Sequence, residues 1–79
     1  MADDLRDLFA TNLRRLRHAR GLSQDELADE AEVSRSYLAQ VETAKKHISL
    51  KIISKLAQAL DIDPVEFFRR PTRRDRPKQ

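Results

Sequence analysis

This 79-residue sequence predicts an all-helical domain, and three observations support that. Glycine occurs once, as Gly21, and all three prolines lie at or after Pro64. Strands joined by tight turns need more turn residues than that. Leu5, Leu8, Phe9, Leu13, Leu16 and Ala19 recur at three- and four-residue steps, which is the helical period. Ser23, Ser34, Ser49 and Asp63 each stand just ahead of a helix-like run, where an N-cap belongs. A chain this short buries only about 60% of its unfolded surface, which suffices for one core and one domain.

Five helices follow in order. The first is predicted over residues 4–20, with Asp4 capping its start and Gly21 as a left-handed stop. Arg14, Arg15, Arg17 and Arg20 occupy its second half, where the helix dipole favours cations. The second covers 24–31: Ser23 and Glu26 form a capping box, and Leu22 is placed to staple Leu27. The third, 35–42, starts on Ser34, with Val33 against Leu38. The fourth, 50–60, starts on Ser49, with Ile48 against Ile53. The fifth, 64–69, has Asp63 as cap and Pro64 at the first helical position. Glu66 would complete its box, and Ile62 would face Phe67. These elements make a compact domain of residues 1–70. Prolines and like charges leave 71–79 without an apolar face, so it reads as a basic, disordered tail.

The formal net charge of +3 hides strong local differences. Residues 69–79 carry +5, 33–60 carry +4, and 1–32 and 61–68 carry −3 each. Basic character confined to particular segments points to a polyanionic partner on one face. The absence of cysteine excludes disulfides, cysteine-bearing zinc sites and thiol nucleophiles. His18 and His47 are too few for a metal site, and no cofactor is expected. The longest apolar run is Leu8-Phe9-Ala10, too short to span a membrane. The acidic start lacks the regions of a signal peptide, so the protein is expected in the cytoplasm. No catalytic constellation is apparent, and an enzyme is the remotest reading.

Helices two and three are each about two turns long, joined by Ala31-Glu32-Val33-Ser34. Such a pair is the helix-turn-helix pattern, whose second helix enters the DNA major groove. Leu27, Ala28, Ala31, Val33, Leu38 and Val41 supply apolar faces that can meet, with small Ala28 at the closest approach. Leu38 and Val41 facing inward leave Arg35, Ser36, Ala39 and Gln40 outward. Arg can hold guanine O6 and N7 with two bonds, and Gln can do the same for adenine N6 and N7.

The run Gly21-Leu22-Ser23-Gln24-Asp25-Glu26-Leu27-Ala28, followed by Val33-Ser34, Leu38 and Glu42, resembles the Cro/C1-type (XRE-like) helix-turn-helix family of phage repressors. Ser49-Leu50, Leu56-Ala57 and Ala59-Leu60 are similar to that family's fourth helix, so the resemblance covers residues 9–68. The stretch from Ile48 to Phe68 also resembles a subgroup, the controller proteins of restriction–modification systems. The chain departs from the family at Glu32 and Ala44, where glycine is usual or frequent. A left-handed conformation at either would cost about 1–2 kcal/mol.

The resemblance implies base-reading roles for Arg35, Ser36 and Gln40. Tyr37 has two readings: a contact to phosphate or a thymine methyl, or a shield over the turn. Gln24, with the start of helix two, is implied to hold a phosphate. Ser34 is mainly a cap and can add a phosphate contact. Thr43, Lys45, Lys46 and His47 form a basic loop expected to clamp phosphates. Arg17 and Glu42 match the family's structural ion pair between helices one and three. Lys51 and Lys55 read as a solvated stripe, and Glu26, Asp29 and Glu30 as an acidic face turned from DNA. The tail could follow the phosphate backbone or simply solubilise the end.

The sequence reads as a transcriptional regulator binding double-stranded DNA specifically. One such helix reads few base pairs, so a homodimer on a palindromic operator is expected, with half-sites about 34 Å apart or multiples of that. Ile62, Val65, Phe67 and Phe68, with Ile48 and Leu50, are the candidate interface; alternatively Ile62, Phe67 and Phe68 close the monomer core. An activator would add a contact to RNA polymerase. The competing class is an interaction protein, an antitoxin that sequesters a protein partner and regulates its own operon.

Overall fold

The computed structural model describes residues 2–70, with side chains from Leu5 onward. The predicted tail, 71–79, lies outside the described residues. Among these the architecture is all-helical: α1 (Ala2–Ala19), α2 (Gln24–Ala31), α3 (Arg35–Glu42), α4 (Leu50–Leu60) and a 3-10 helix, Pro64–Phe68. Four elements are α-helices, and the expected fifth α-helix is instead this 3-10 segment. The first helix also begins at Ala2, which puts Asp4 inside it rather than at its cap.

The helix starts are built by side-chain capping. Ser23 Oγ accepts from Glu26 N at 3.0 Å, while Ser23 N donates to Glu26 Oε1 at 2.8 Å. Ser34 Oγ and Ser49 Oγ accept from Tyr37 N and Ile52 N at 3.0 and 3.2 Å. Asp63 Oδ1 accepts from Val65 N at 3.0 Å. The box expected from Glu66 does not form. Its carboxylate instead takes two bonds from Arg69, at 3.0 and 2.9 Å, and these hold it below the usual carboxylate range.

The helix ends share a device of their own. Gly21, Glu32, Ala44 and Asp61 all adopt left-handed backbone, with φ of 69, 59, 62 and 56°. After each of them, the next N–H reaches back five residues: Leu22 to Arg17 O, Val33 to Ala28 O, Lys45 to Gln40 O and Ile62 to Ala57 O. This is the Schellman closure. Leu22, Val33 and Ile62 thus close one helix and precede the cap of the next, and all three pack against the core. At the end of α3 the equivalent residue is Lys45, which is exposed. No apolar group pulls the chain back there, and it runs out as an open loop to Ser49.

The core consists of Phe9, Leu13, Leu27, Ala28, Ala31, Leu38, Val41, Ile53, Leu56, Ala57, Leu60 and Phe67. Two residues of the periodic set on α1, Leu5 and Ala19, are exposed. The 3-10 helix and α3 pack on α1, while α2 packs on α3 and α4. No helix among the described residues is long and apolar enough to cross a membrane.

Candidate nucleic-acid interface

The α2–α3 pair forms because Leu27, Ala28 and Ala31 meet Leu38 and Val41 in the core, with 4% exposure or less at each. That burial decides what α3 shows to solvent. Arg35, Ser36 and Gln40 are exposed, while Tyr37 and Ala39 are half-buried. Tyr37 packs against the core, and its hydroxyl makes a long 3.4 Å bond to the His47 carbonyl. Of its two readings, the turn-shielding one has a contact in the free chain.

The end of α3 is held by Glu42, whose carboxylate is 1% exposed. Arg17 Nε donates to Glu42 Oε2 at 2.7 Å, and Arg17 Nη2 donates to Oε1 at 3.1 Å. Gln24 Nε2 adds a bond to Oε1 at 2.9 Å, and Arg17 Nη1 reaches the Leu22 carbonyl at 2.8 Å. Arg14 donates to the main-chain carbonyl of Glu42. Both ends of the buried charge pair are therefore saturated, the condition under which burying ions is tolerable. Two helices, α1 and α2, converge on the last residue of α3, which fixes where Arg35 and Gln40 point.

The expected phosphate contacts are placed as follows. Gln24 is half-buried, and one of its amide hydrogens is committed to Glu42. Ser34 Oγ accepts the cap bond, so its own hydroxyl hydrogen can still point outward. Thr43 Oγ1 donates to the Ala39 and Gln40 carbonyls, both at 3.2 Å, closing the helix end. Lys45, Lys46 and His47 are exposed on the loop that follows α3. Glu26, Asp29 and Glu30 are exposed on α2.

Of the residues expected at a dimer interface, Phe67 requires correction. It is completely buried within one chain, its ring centroid 4.7 Å from that of Phe9. Phe68 is half-buried, 5.5 Å from Phe9, and Ile48 and Ile62 are half-buried against the core. Leu50 and Val65 are 84% and 60% exposed. Leu5, one of the periodic residues of α1, is 55% exposed. It lines a groove of about 330 Å³ together with Phe9, Ile48, Leu50, Ile53 and Phe68.

Two short helices joined by a three-residue turn, the second fixed at its end and presenting Arg35, Ser36 and Gln40, define a helix-turn-helix DNA-binding domain. The helix-turn-helix family model matches residues 13–67, and the chain belongs to that family, of Cro/C1 type. It is a DNA-binding transcription regulator close to restriction–modification controller proteins. The chain is 32% identical over 69 residues to the control protein C.BamHI of Bacillus amyloliquefaciens, spanning 86% of this chain and 85% of that one. It is 33% identical to the control protein C.SmaI of Serratia marcescens, over 73% of this chain and 69% of that one. Among solved structures, the restriction–modification controller C.AhdI of Aeromonas hydrophila aligns with a TM-score of 0.78 and 49% identity. That match covers 82% of this chain and 97% of C.AhdI.

Proposed function

We propose that this chain is a cytoplasmic, non-enzymatic controller of a restriction–modification system that binds a two-fold-symmetric operator as a homodimer. It acts on its own promoter among others, and an activating role adds a contact to RNA polymerase. The observation that carries the reading is the exposed triad Arg35, Ser36 and Gln40 on a helix whose end is anchored by the buried Arg17–Glu42 pair. Arg35, Ser36 and Gln40 read base edges, with Tyr37 and Ala39 against the groove wall. Ser34, Thr43, Lys45, Lys46 and His47, with the start of α2 at Gln24, set the register on phosphates. Residues 1–70 form the DNA-binding domain, and 71–79 form a basic arm adding sequence-independent, salt-sensitive affinity.

The dimer forms through the apolar edge around Ile48, Leu50, Ile62, Val65 and Phe68, which also includes Leu5. Leu5, Ile48, Leu50 and Phe68 line one groove, and Leu5, Leu50 and Val65 are exposed; apolar surface left open in this way favours a partner. The test is selection of bound duplexes from a random pool at about 150 mM salt, a physiological ionic strength. A two-fold-symmetric site, lost in Arg35→Ala/Gln40→Ala, is the expected result. Salt-sensitive bulk binding with no enriched site would overturn the proposal. So would a concentration-independent monomer mass both with and without the selected duplex.

A further inference from the structure

Asp25 and Arg35 lie on different helices, in the first turn of α2 and the first turn of α3. Arg35 Nε and Asp25 Oδ1 form an ion pair at 2.8 Å. The two side chains are 67% and 72% exposed, and an ion pair so wet adds little stability. Asp25 also follows Gln24, at the helix start expected to face phosphate. A carboxylate there weakens attraction to any DNA, so both its place and its pairing call for another account.

The pairing selects a geometry. A guanidinium can grip guanine O6 and N7 with its Nε and Nη2 edge or with its Nη1 and Nη2 end. Asp25 Oδ1 stands against Nε. Neither Nη of Arg35 has a partner among the described residues, so the end-on fork is open to read a base. The carboxylate also holds a long, rotamer-rich side chain before binding, which reduces the ordering cost at the interface. We propose that Asp25 is a specificity-determining residue, which positions Arg35 for one guanine edge and opposes contacts that lack it. A repulsive group that tells one partner from another is a general route to specificity. The inference rests on the reading of Arg35 as a base reader.

The experiment runs the random-duplex selection in parallel on the full chain and on Asp25→Ala, Asp25→Asn, Arg35→Ala and the Arg35→Ala/Asp25→Ala double variant. Enrichment is read base by base, and thermal melting checks that each variant is folded. Arg35→Ala is expected to erase the preference at one base pair. Asp25→Ala should reduce the preference at that same pair by about tenfold, within the discrimination one bidentate contact supplies. Total retention of the pool should meanwhile rise. Asp25→Asn keeps the shape but not the charge that pairs with Arg35, and should lose the preference as Asp25→Ala does. In the Arg35→Ala background, loss of Asp25 should change no base preference. Uniformly tighter binding by Asp25→Ala, with every preference intact, would overturn the inference and leave Arg35 as the reader. Unchanged preferences in Arg35→Ala would overturn the reading of Arg35 itself, and the inference with it.

Discussion

The side-chain amide of Asn12 donates to the Phe67 carbonyl at 2.8 Å, joining positions 55 apart in the chain. A second bond, to the Arg69 carbonyl, measures 2.9 Å. Asn12 is 3% exposed, and its Oδ1 accepts from Arg15 at 3.1 Å. The amide therefore meets two carbonyls that the short 3-10 helix cannot pair within itself. It ties the chain's last described segment to α1 next to the Phe9–Phe67 ring contact.

Asn12→Ala should destabilise the fold by about 2–3 kcal/mol, because it removes the buried amide that donates to the Phe67 and Arg69 carbonyls. Thermal unfolding should show a fall of roughly 8–20 °C for a domain of this size. Asn12→Asp should be at least as damaging at neutral pH, since a carboxylate would face two carbonyl oxygens. An unchanged melting temperature in both would mean that Phe67 alone holds the turn.

The Arg17–Glu42 pair should behave as a unit. Arg17→Met or Glu42→Leu should each cost about 3–5 kcal/mol, mostly from the buried charge left behind. The double variant Arg17→Met/Glu42→Leu should lose less than either single. Denaturant unfolding of the four proteins gives the coupling, and additive losses would contradict a paired role.

Two backbone positions offer gains. Ala44 and Glu32 hold φ of 62 and 59°, where an L side chain costs about 1–2 kcal/mol. Glycine relieves that but loses about 0.5–1 kcal/mol of chain entropy. Ala44→Gly and Glu32→Gly should therefore each stabilise by roughly 0.5–1 kcal/mol, read as a rise in melting temperature. Gly21→Ala should do the reverse. A Cβ there meets nothing within 4 Å, so its cost would be purely that of the left-handed backbone at φ 69°.

Lys45→Ala and Lys46→Ala should weaken binding to every duplex alike and lower the slope of log K against log salt by about 1 each. Arg35→Ala should instead cost about 1–3 kcal/mol at one base pair and leave that slope nearly unchanged. Titrations of two duplexes at several salt concentrations separate these behaviours.

The helix starts were legible because a cap is local chemistry: Ser23, Ser34, Ser49 and Asp63 act on N–H groups two or three residues on. The outward set on α3 was legible for a similar reason, once Leu38 and Val41 were assigned to the core. Helix ends were less so. Glu32, Ala44 and Asp61 take the left-handed position without being glycine; the family resemblance pointed to the first two, and nothing in the sequence pointed to Asp61. Glu66 was misassigned because two donors compete for its carboxylate, and the Arg69 guanidinium takes both oxygens. Phe67 was placed at an interface because an apolar residue near a chain's end reads alike whether it faces inward or outward. The Asn12, Arg14 and Asp25 contacts join separate elements, and no spacing along the chain encodes the way helices cross.

The arginines of α1 carry a last consequence. Arg14 reaches the carbonyl of Glu42 at the end of α3, Arg17 its carboxylate, and Arg20 the carbonyl of Leu60 at the end of α4. Target preference is then not portable as an eight-residue cassette. A related scaffold that received Arg35–Glu42 without Arg14, Arg17 and Gln24 would inherit the letters of the code but not the frame that aims them. Chimeras between such regulators should work when α1 to α3 move together, and lineages that change operator by swapping α3 alone should be rare.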